Sequence, residues 1–398
     1  ESSVGHGLRE NLLTSFMKDP NSDEQLSGQI LTRRLRYIHS CAADLPPDDV
    51  RGAEATAFFV PILTAPMMFS HYLKSVREET ARLLSLFVGF SDEGAVMAYS
   101  RGVDTVALRL GQREPGSLDG EGPSLLSDGE RKSLARECET LSRWVSVIHW
   151  VGETPRFGSY LPLLLPAVFL SFDDSDPERL SHARLALSLS AQSRLSRSNL
   201  RAVVDVCNII ARSPRWKMRG SILGFLQVLA FVSNFSGGEE ILGQIRTIII
   251  GFLSDEQLEV REGAAHTLVP LLRDAPENTI KETRELLLSR LTTTQPRARR
   301  RKDVKPPADQ IIQRHSAVLG LASMVMSSPY TLPSWMPGVL MALARQVDDY
   351  PPISTSSRKI FVEFWRTHRD EWATHKRAFA EDELEIVSDL LISPSYYA

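Results

Sequence analysis

Helical periodicity is the dominant pattern in this sequence, and it leaves little room for another class of fold. Apolar residues recur at three- and four-residue intervals through one segment after another, whereas no stretch alternates apolar and polar residues as a half-buried strand does. The periodic segments have the length of ordinary helices and are separated by turns rich in Pro, Gly and Asp. We therefore expect an all-α protein built from antiparallel helix pairs.

One short motif occurs twice, at 76–78 and at 260–262, and reads Val-Arg-Glu both times. Each copy is followed by Ala and Leu at the same offsets, which places Val, Ala and Leu on a face that packs a neighbouring helix. The repeated Arg is predicted to reach a carboxylate in the loop between repeats, such as Asp255 in the case of Arg261. The repeated motif favours a HEAT-repeat-like α-solenoid with units of about 40 residues. A coincidental match within an irregular helical domain is the alternative.

Length and composition narrow the class of protein further. The chain has 398 residues, more than one hydrophobic core normally serves, with 42% hydrophobic residues and a formal net charge of −3. That charge favours neither direct binding of nucleic acid nor an anionic membrane. The longest apolar run, 160–172, contains two prolines and is too short to cross a bilayer. Three widely spaced cysteines predict neither zinc nor a disulfide framework, as in a reducing compartment.

Changes in composition divide the chain into five predicted segments. Two stretches of HEAT-like repeats are separated by a flexible loop of Gly, Pro and acidic residues, and a basic exposed loop precedes a C-terminal helical domain. The predicted bounds are 1–112 for the first repeats, 113–130 for the acidic loop, 131–296 for the second repeats, 297–308 for the basic loop and 309–398 for the C-terminal domain. Because the first residue is Glu1, we expect a segment of a longer protein.

The last five residues, Pro394-Ser395-Tyr396-Tyr397-Ala398, are unusual because terminal residues are ordinarily polar. Pro394 cannot continue the preceding helix, which leaves a short extended peptide with two phenol rings and a free carboxylate. Such a peptide suits a pocket on another protein, where the carboxylate pairs with a cation and Tyr397 buries its ring. The alternative is a frayed end whose tyrosines pack back onto their own domain.

The C-terminal stretch resembles the C-terminal domain of the Blm-type proteasome activators, which are large HEAT-repeat proteins called proteasome activator subunit 4 in animals. The resemblance is dense over 310–398, extends back through 255–262 and thins upstream. The segments that carry it are QRHSAVLGL at 313–321, SSPY at 327–330, PSWMP at 333–337, RTH at 366–368, Trp372, HK at 375–376 and DLLISPSYYA at 389–398.

The resemblance implies a non-catalytic activator that caps the 20S proteasome. Members of the family end in a hydrophobic–Tyr–X motif, which Tyr396, Tyr397 and Ala398 match. That tail enters a pocket between two subunits of the α-ring, where its carboxylate pairs with a lysine and the penultimate Tyr favours an open gate. The family members are several times longer than this chain, so the resemblance covers only their C-terminal part.

The basic loop has two functional interpretations beside that of a solvated, disordered loop. Its cations are Arg297, Arg299, Arg300, Arg301 and Lys302. By family resemblance this cluster is a nuclear signal read by an import receptor, which implies a protein of nucleus and cytoplasm. Inositol phosphates are ligands of the family, and a multivalent basic site suits them, although the resemblance assigns them no residues here.

Other classes of function find less support. No nucleophile elbow, P-loop or zinc-protease helix is present, so we expect no catalysis and no required cofactor or metal. His368 and His375 could share a helical face as metal ligands. An acetyl-lysine reader of the family type needs an Asn-Phe pair after Leu272, where this chain has Arg-Asp, although Asn278 lies nearby. A HEAT scaffold that grips partners, as transport receptors do, remains the main alternative.

Overall fold

The computed structural model describes residues 24–44, 59, 62–88, 127–150, 158–293 and 307–391. Every regular element in these ranges is helical, which confirms the all-α prediction. The chain is a HEAT-repeat-like α-solenoid. The α-helices are α1 (Glu24–Asp44), α2 (Pro66–Phe69), α3 (Lys74–Val88), α4 (Asp128–Trp150), α5 (Leu161–Leu170), α6 (Pro177–Ala191), α7 (Arg197–Ile210), α8 (Trp216–Val232), α9 (Asn234–Phe252), α10 (Leu258–Arg273), α11 (Glu277–Thr293), α12 (Ala308–Ser327), α13 (Met336–Ala344), α14 (Ile353–His368), α15 (Trp372–His375) and α16 (Glu381–Leu391).

The chain divides into two compact units, Glu1–Val206 and Cys207–Ala398. In the first unit α1, α3, α4 and α6 stack in that order, and α5 packs against α4 and α6. In the second unit α8, α10, α12 and α14 stack in order, while α9, α11, α13 and α16 pack against them. None of the described helices is both long and apolar enough to span a membrane.

Helix α4 begins at Asp128, so the last three residues of the segment 113–130, which the sequence predicted to be a loop, are helical. The reason is a capping box. Ser127 Oγ accepts a hydrogen bond from the backbone N–H of Glu130 at 3.4 Å, and Glu130 Oε2 accepts one from the backbone N–H of Ser127 at 2.8 Å. The two residues satisfy N–H groups that would otherwise be left without partners, and they start the helix at Asp128.

Arginine at the fourth residue of α3, α8 and α10 holds the loop that precedes each helix. Nη1 of Arg77, Arg219 and Arg261 donates to the carbonyl oxygens six and five residues earlier. The distances are 2.6 and 3.2 Å for Arg77, 2.8 and 3.2 Å for Arg219, and 2.7 and 3.0 Å for Arg261. We call this arrangement the arginine clamp. It accounts for the repeated Arg of the Val-Arg-Glu motif, because a loop carbonyl that turns inward needs a donor.

The prediction that Arg261 binds the carboxylate of Asp255 was wrong. Arg261 binds the backbone carbonyls of Asp255 and Glu256, whereas the carboxylate of Asp255 binds Arg219 of the preceding stacked helix. Arg219 Nε lies 2.7 Å from Asp255 Oδ2, and Arg219 Nη2 lies 2.9 Å from Asp255 Oδ1. These hydrogen bonds raise the pKa of Arg219 against the opposing effect of burial. The clamp therefore also joins α8 to the loop before α10.

Candidate docking site at the C-terminal end

The residues predicted to bind partners lie outside the described residues. These are Tyr396, Tyr397 and Ala398 of the tail, and Arg297, Arg299, Arg300, Arg301 and Lys302 of the basic loop. What the structure describes is the helices that flank them. Helix α16 ends at Leu391, five positions before Tyr396. The basic loop follows α11, which ends at Thr293, and precedes α12.

Helix α16 is the element that fixes where the tail begins. Its first turn holds three acidic residues, which complement the positive end of the helix dipole. The backbone N–H of Ala380 donates to Glu383 Oε2 at 3.2 Å and so caps the start of the helix. Val387, which is fully buried, anchors α16 against α13 and α14. The start of the tail is thus tied to the last two stacked helices of the second unit.

An aromatic cluster fixes the connection between α14 and α16. The ring of Phe364 stacks on His368 with centroids 4.3 Å apart, and Trp372 meets Phe364 edge-on at 6.3 Å. Trp372 also lies 5.9 Å from Phe379, the last aromatic residue before α16. Aromatic pairs at these separations attract beyond the area that they bury. The segment between the two helices is therefore held by packing, and the position of α16 with it.

The structure gives His368 a structural role in place of metal binding. His368 Nε2 lies 3.0 Å from the carbonyl oxygen of Thr331, and Nδ1 lies 3.0 Å from the carbonyl oxygen of Phe364 and 2.8 Å from Thr367 Oγ1. Both ring nitrogens are thus engaged with protein groups. Among the described residues, no group of three or more His, Cys, Asp and Glu side chains could hold a metal ion. His368 instead ties the loop before α13 to the end of α14.

His315 connects three stacked helices of the second unit, a role that sequence reasoning missed. It is fully buried in α12. Arg261 Nε donates to His315 Nδ1 at 3.2 Å, so the proton of the neutral ring lies on Nε2, which is 2.9 Å from Ser356 Oγ. These contacts link α10, α12 and α14. Burial, together with the nearby positive charge of Arg261, lowers the pKa of His315 to about 4.

This buried imidazole predicts a loss of stability in mild acid. The ordinary pKa of 6.5 applies in the unfolded chain, whereas folding lowers the pKa to about 4. Below pH 6.5 His315 is protonated in the unfolded state but stays neutral in the folded state. The free energy of unfolding therefore falls by up to about 1.4 kcal/mol per pH unit as the pH drops towards 4. Urea unfolding at intervals from pH 7 to pH 4.5 would measure the slope.

The matched control is His315→Gln, which can bond to the same neighbours but cannot take up a proton. We expect this variant to be less stable than the wild type at pH 7 but to lose less stability between pH 6.5 and pH 5. Equal slopes for the two proteins would show that His315 does not resist protonation in the fold.

The stacked helices and the arginine clamps define an α-solenoid protein, and its last described helix, α16, is anchored against α13 and α14. Residues 311–398 match the family model described as "Proteasome activator complex subunit 4-like, C-terminal". Together with the relatives below, this match identifies residues 311–398 as a C-terminal region of the proteasome activator subunit 4 family.

Two relatives show how far the similarity extends. The chain is 38% identical over 245 residues to proteasome activator complex subunit 4 of Bos taurus, and 35% identical over 280 residues to subunit 4A of Danio rerio. These matches cover 60% and 68% of this chain but only 13% and 15% of the relatives. Among solved structures, Kap121p is similar over 97% of this chain and 41% of its own, with 11% identity and a TM-score of 0.40, too distant to add to the description of the fold.

The position where an acetyl-lysine reader of the family type needs Asn-Phe is the end of α10. Arg273 is the last residue of that helix, and Asp274 follows as its cap. Asn278, the nearest amide side chain, is exposed in the first turn of α11. The described residues therefore supply no buried amide here that could bind an acetyl oxygen.

Proposed function

We propose that this chain is part of a non-catalytic proteasome activator that docks on the α-ring of the 20S core and promotes opening of its gate. The observation that carries the proposal is the family match, which runs from residue 311 through the final Tyr396-Tyr397-Ala398. The tethered helix α16 supports it, because a peptide that must enter a pocket gains from a fixed starting point.

The proposed mechanism is a shift of population in the partner. The tail carboxylate pairs with a cation of the α-ring pocket, and Tyr397 fills the pocket while its hydroxyl forms a hydrogen bond. Contacts that are better in the open arrangement of the gate than in the closed one favour the open state. The solenoid supplies a larger docking surface, which raises the effective concentration of the tail at its pocket.

The basic loop carries a second, independent proposal. Its cluster, Arg297 to Lys302, is proposed to be a nuclear import signal, which places the protein in both nucleus and cytoplasm. Replacing all five cations by Gln should confine a fluorescently tagged protein to the cytoplasm without changing activation of the core in vitro. An inositol phosphate site at the same cations would instead lose ligand binding in a titration of the same variant.

Tail insertion predicts that removal or extension of the chain end abolishes activation. In the full-length protein, deletion of Tyr396-Tyr397-Ala398 and addition of one Gly after Ala398 should each remove stimulation of peptide hydrolysis by the 20S core. Deletion removes the aromatic rings, and the added Gly displaces the carboxylate from the cation. Hydrolysis of a fluorogenic peptide and co-sedimentation with the core are the two measurements.

Ala398→Gly is the matched control, because it keeps both the chain length and the carboxylate. We expect this variant to activate as the wild type does. If the deletion and the extension both leave activation and binding unchanged, the tail is not inserted. The chain would then act as a HEAT scaffold through its helical surface.

A further inference from the structure

The outward side of α16 carries an apolar residue that the fold does not cover. Ile386 is 47% exposed, whereas the next residue, Val387, is fully buried. Asp382, Glu385 and Asp389 are exposed. Asp382 and Asp389, four residues before and three after Ile386, are its neighbours on the helix surface, and Glu385 lies on the same side, four residues before Asp389. We call these four residues the outer face of α16.

Asp382 lies in the first turn and suits the helix dipole, but the other two charges of this face do not serve the stability of the helix. Glu385 and Asp389 are four residues apart, a spacing at which like charges repel. Asp389 also lies in the last turn, where a negative charge opposes the helix dipole. In the part of the chain that the structure describes, no cation lies within ion-pair distance of Asp382, Glu385 or Asp389. Residues that contradict local stability in this way often belong to a site of interaction.

The short tail limits how far this face can lie from the proteasome pocket. Six residue steps separate Leu391 from Tyr397, and a fully extended chain covers at most about 22 Å in six steps. When Tyr397 occupies its pocket, the last turn of α16 is therefore within about that distance. A helix so close to the mouth of a pocket has its exposed side near the surrounding surface of the α-ring.

We propose that the outer face of α16 is a second contact with the α-ring, beside the pocket that receives the tail. Its partner is a surface of an α-subunit on which an apolar patch is bordered by Lys or Arg side chains. Ile386 covers the apolar patch, and the three carboxylates meet the cations along one border of it. The inference rests on the proposed function, since the tail is what brings α16 to the ring.

The test is Ile386→Arg in the full-length protein with an intact tail. The new cation sits beside Asp382 and Asp389 of its own helix, so the fold tolerates it, whereas a basic partner surface repels it. We expect the dissociation constant for the 20S core, measured by surface binding kinetics, to rise about tenfold. The matched control is Leu286→Arg on α11, because Leu286 is an aliphatic helix residue with nearly the same exposure, 43%, as Ile386. It should bind as the wild type does.

A photo-crosslinking amino acid at position 386 provides a second measurement that does not depend on affinity. We expect it to form a crosslink with an α-subunit, and the same group at position 286 to form none. The inference is overturned if Ile386→Arg binds like the wild type, if Leu286→Arg weakens binding equally, or if position 386 gives no crosslink. In those cases deletion of the tail would still abolish activation. If tail deletion has no effect, the proposed function fails first, and the inference falls with it.

Discussion

The variant Asp255→Ala is expected to lose about 3–5 kcal/mol of free energy of unfolding, the range for breaking a buried ion pair. Side chains of Arg219 and Asp255 are only 8% and 6% exposed, and Asp255 accepts both hydrogen bonds of a bidentate pair. Glu256 remains 3.1 Å from Arg219, but its side chain is 64% exposed and cannot replace the buried carboxylate. The variant also removes the acceptor of a 2.8 Å hydrogen bond from the backbone N–H of Gln257.

Asp348→Ala provides the comparison at the surface. Asp348 pairs with Arg358 at 3.4 Å, and both side chains are mostly exposed. Such pairs contribute less than about 1 kcal/mol, so this variant should unfold nearly as the wild type does. Urea unfolding followed by circular dichroism would measure both, and hydrogen exchange in α8 and α10 would locate the loss. A small effect of Asp255→Ala would mean that water already reaches Arg219.

The variant Gly320→Val is expected to lose about 3 kcal/mol, at the upper end of the range for an overfilled core. A Cβ atom at Gly320 would lie 2.6 and 2.8 Å from the two terminal methyl groups of Leu287, and 3.1 Å from Cδ1 of Leu253. Both leucines are fully buried, so a change of rotamer would have to take place inside the packed core. Either Leu287 must change its rotamer within the core, or the helices α11 and α12 must move apart.

Gly224→Val is the matched control, since a Cβ atom at Gly224 in the middle of α8 would meet nothing within 4 Å. Valine is a slightly better helix former than glycine, so stability should stay the same or rise by a few tenths of a kcal/mol. Thermal unfolding of the two variants beside the wild type gives the comparison. Similar melting temperatures for both variants would contradict the close packing at Gly320.

Periodicity was sufficient to predict the helices, because each one packs through an apolar stripe. Predicted helices 309–327 and 353–369 agree with α12 and α14 to within one residue at each end. Helix α9 spans Asn234–Phe252, but its part after the kink at Gly238 begins at the predicted 239; the short helical stretch before the kink was not predicted. Gly238, with φ of 68°, kinks the chain there, and a single glycine in a sequence does not reveal which backbone angle it takes.

Contacts between helices were harder to predict than the helices themselves. The sequence identified Arg261 as a repeated residue of structural importance, but the partner of Asp255 depends on how α8 stacks on α10. Ile386 illustrates the same limit for the candidate site. It stands beside Leu384, Val387 and Leu390 in the sequence, and only the packing of α16 shows that it points away from the core. The tail motif, in contrast, was evident from residue types alone and stays a prediction.

The arginine clamp constrains how this protein can change its length during evolution. The acceptor carbonyls stand six and five residues before the arginine in all three clamps, so the turns at 71–77, 213–219 and 255–261 have a fixed count of residues. One inserted residue there would carry a carbonyl away from its donor and leave a buried guanidinium without that partner. Insertions and deletions should therefore be absent from these turns in orthologous sequences and occur in other connections of the solenoid.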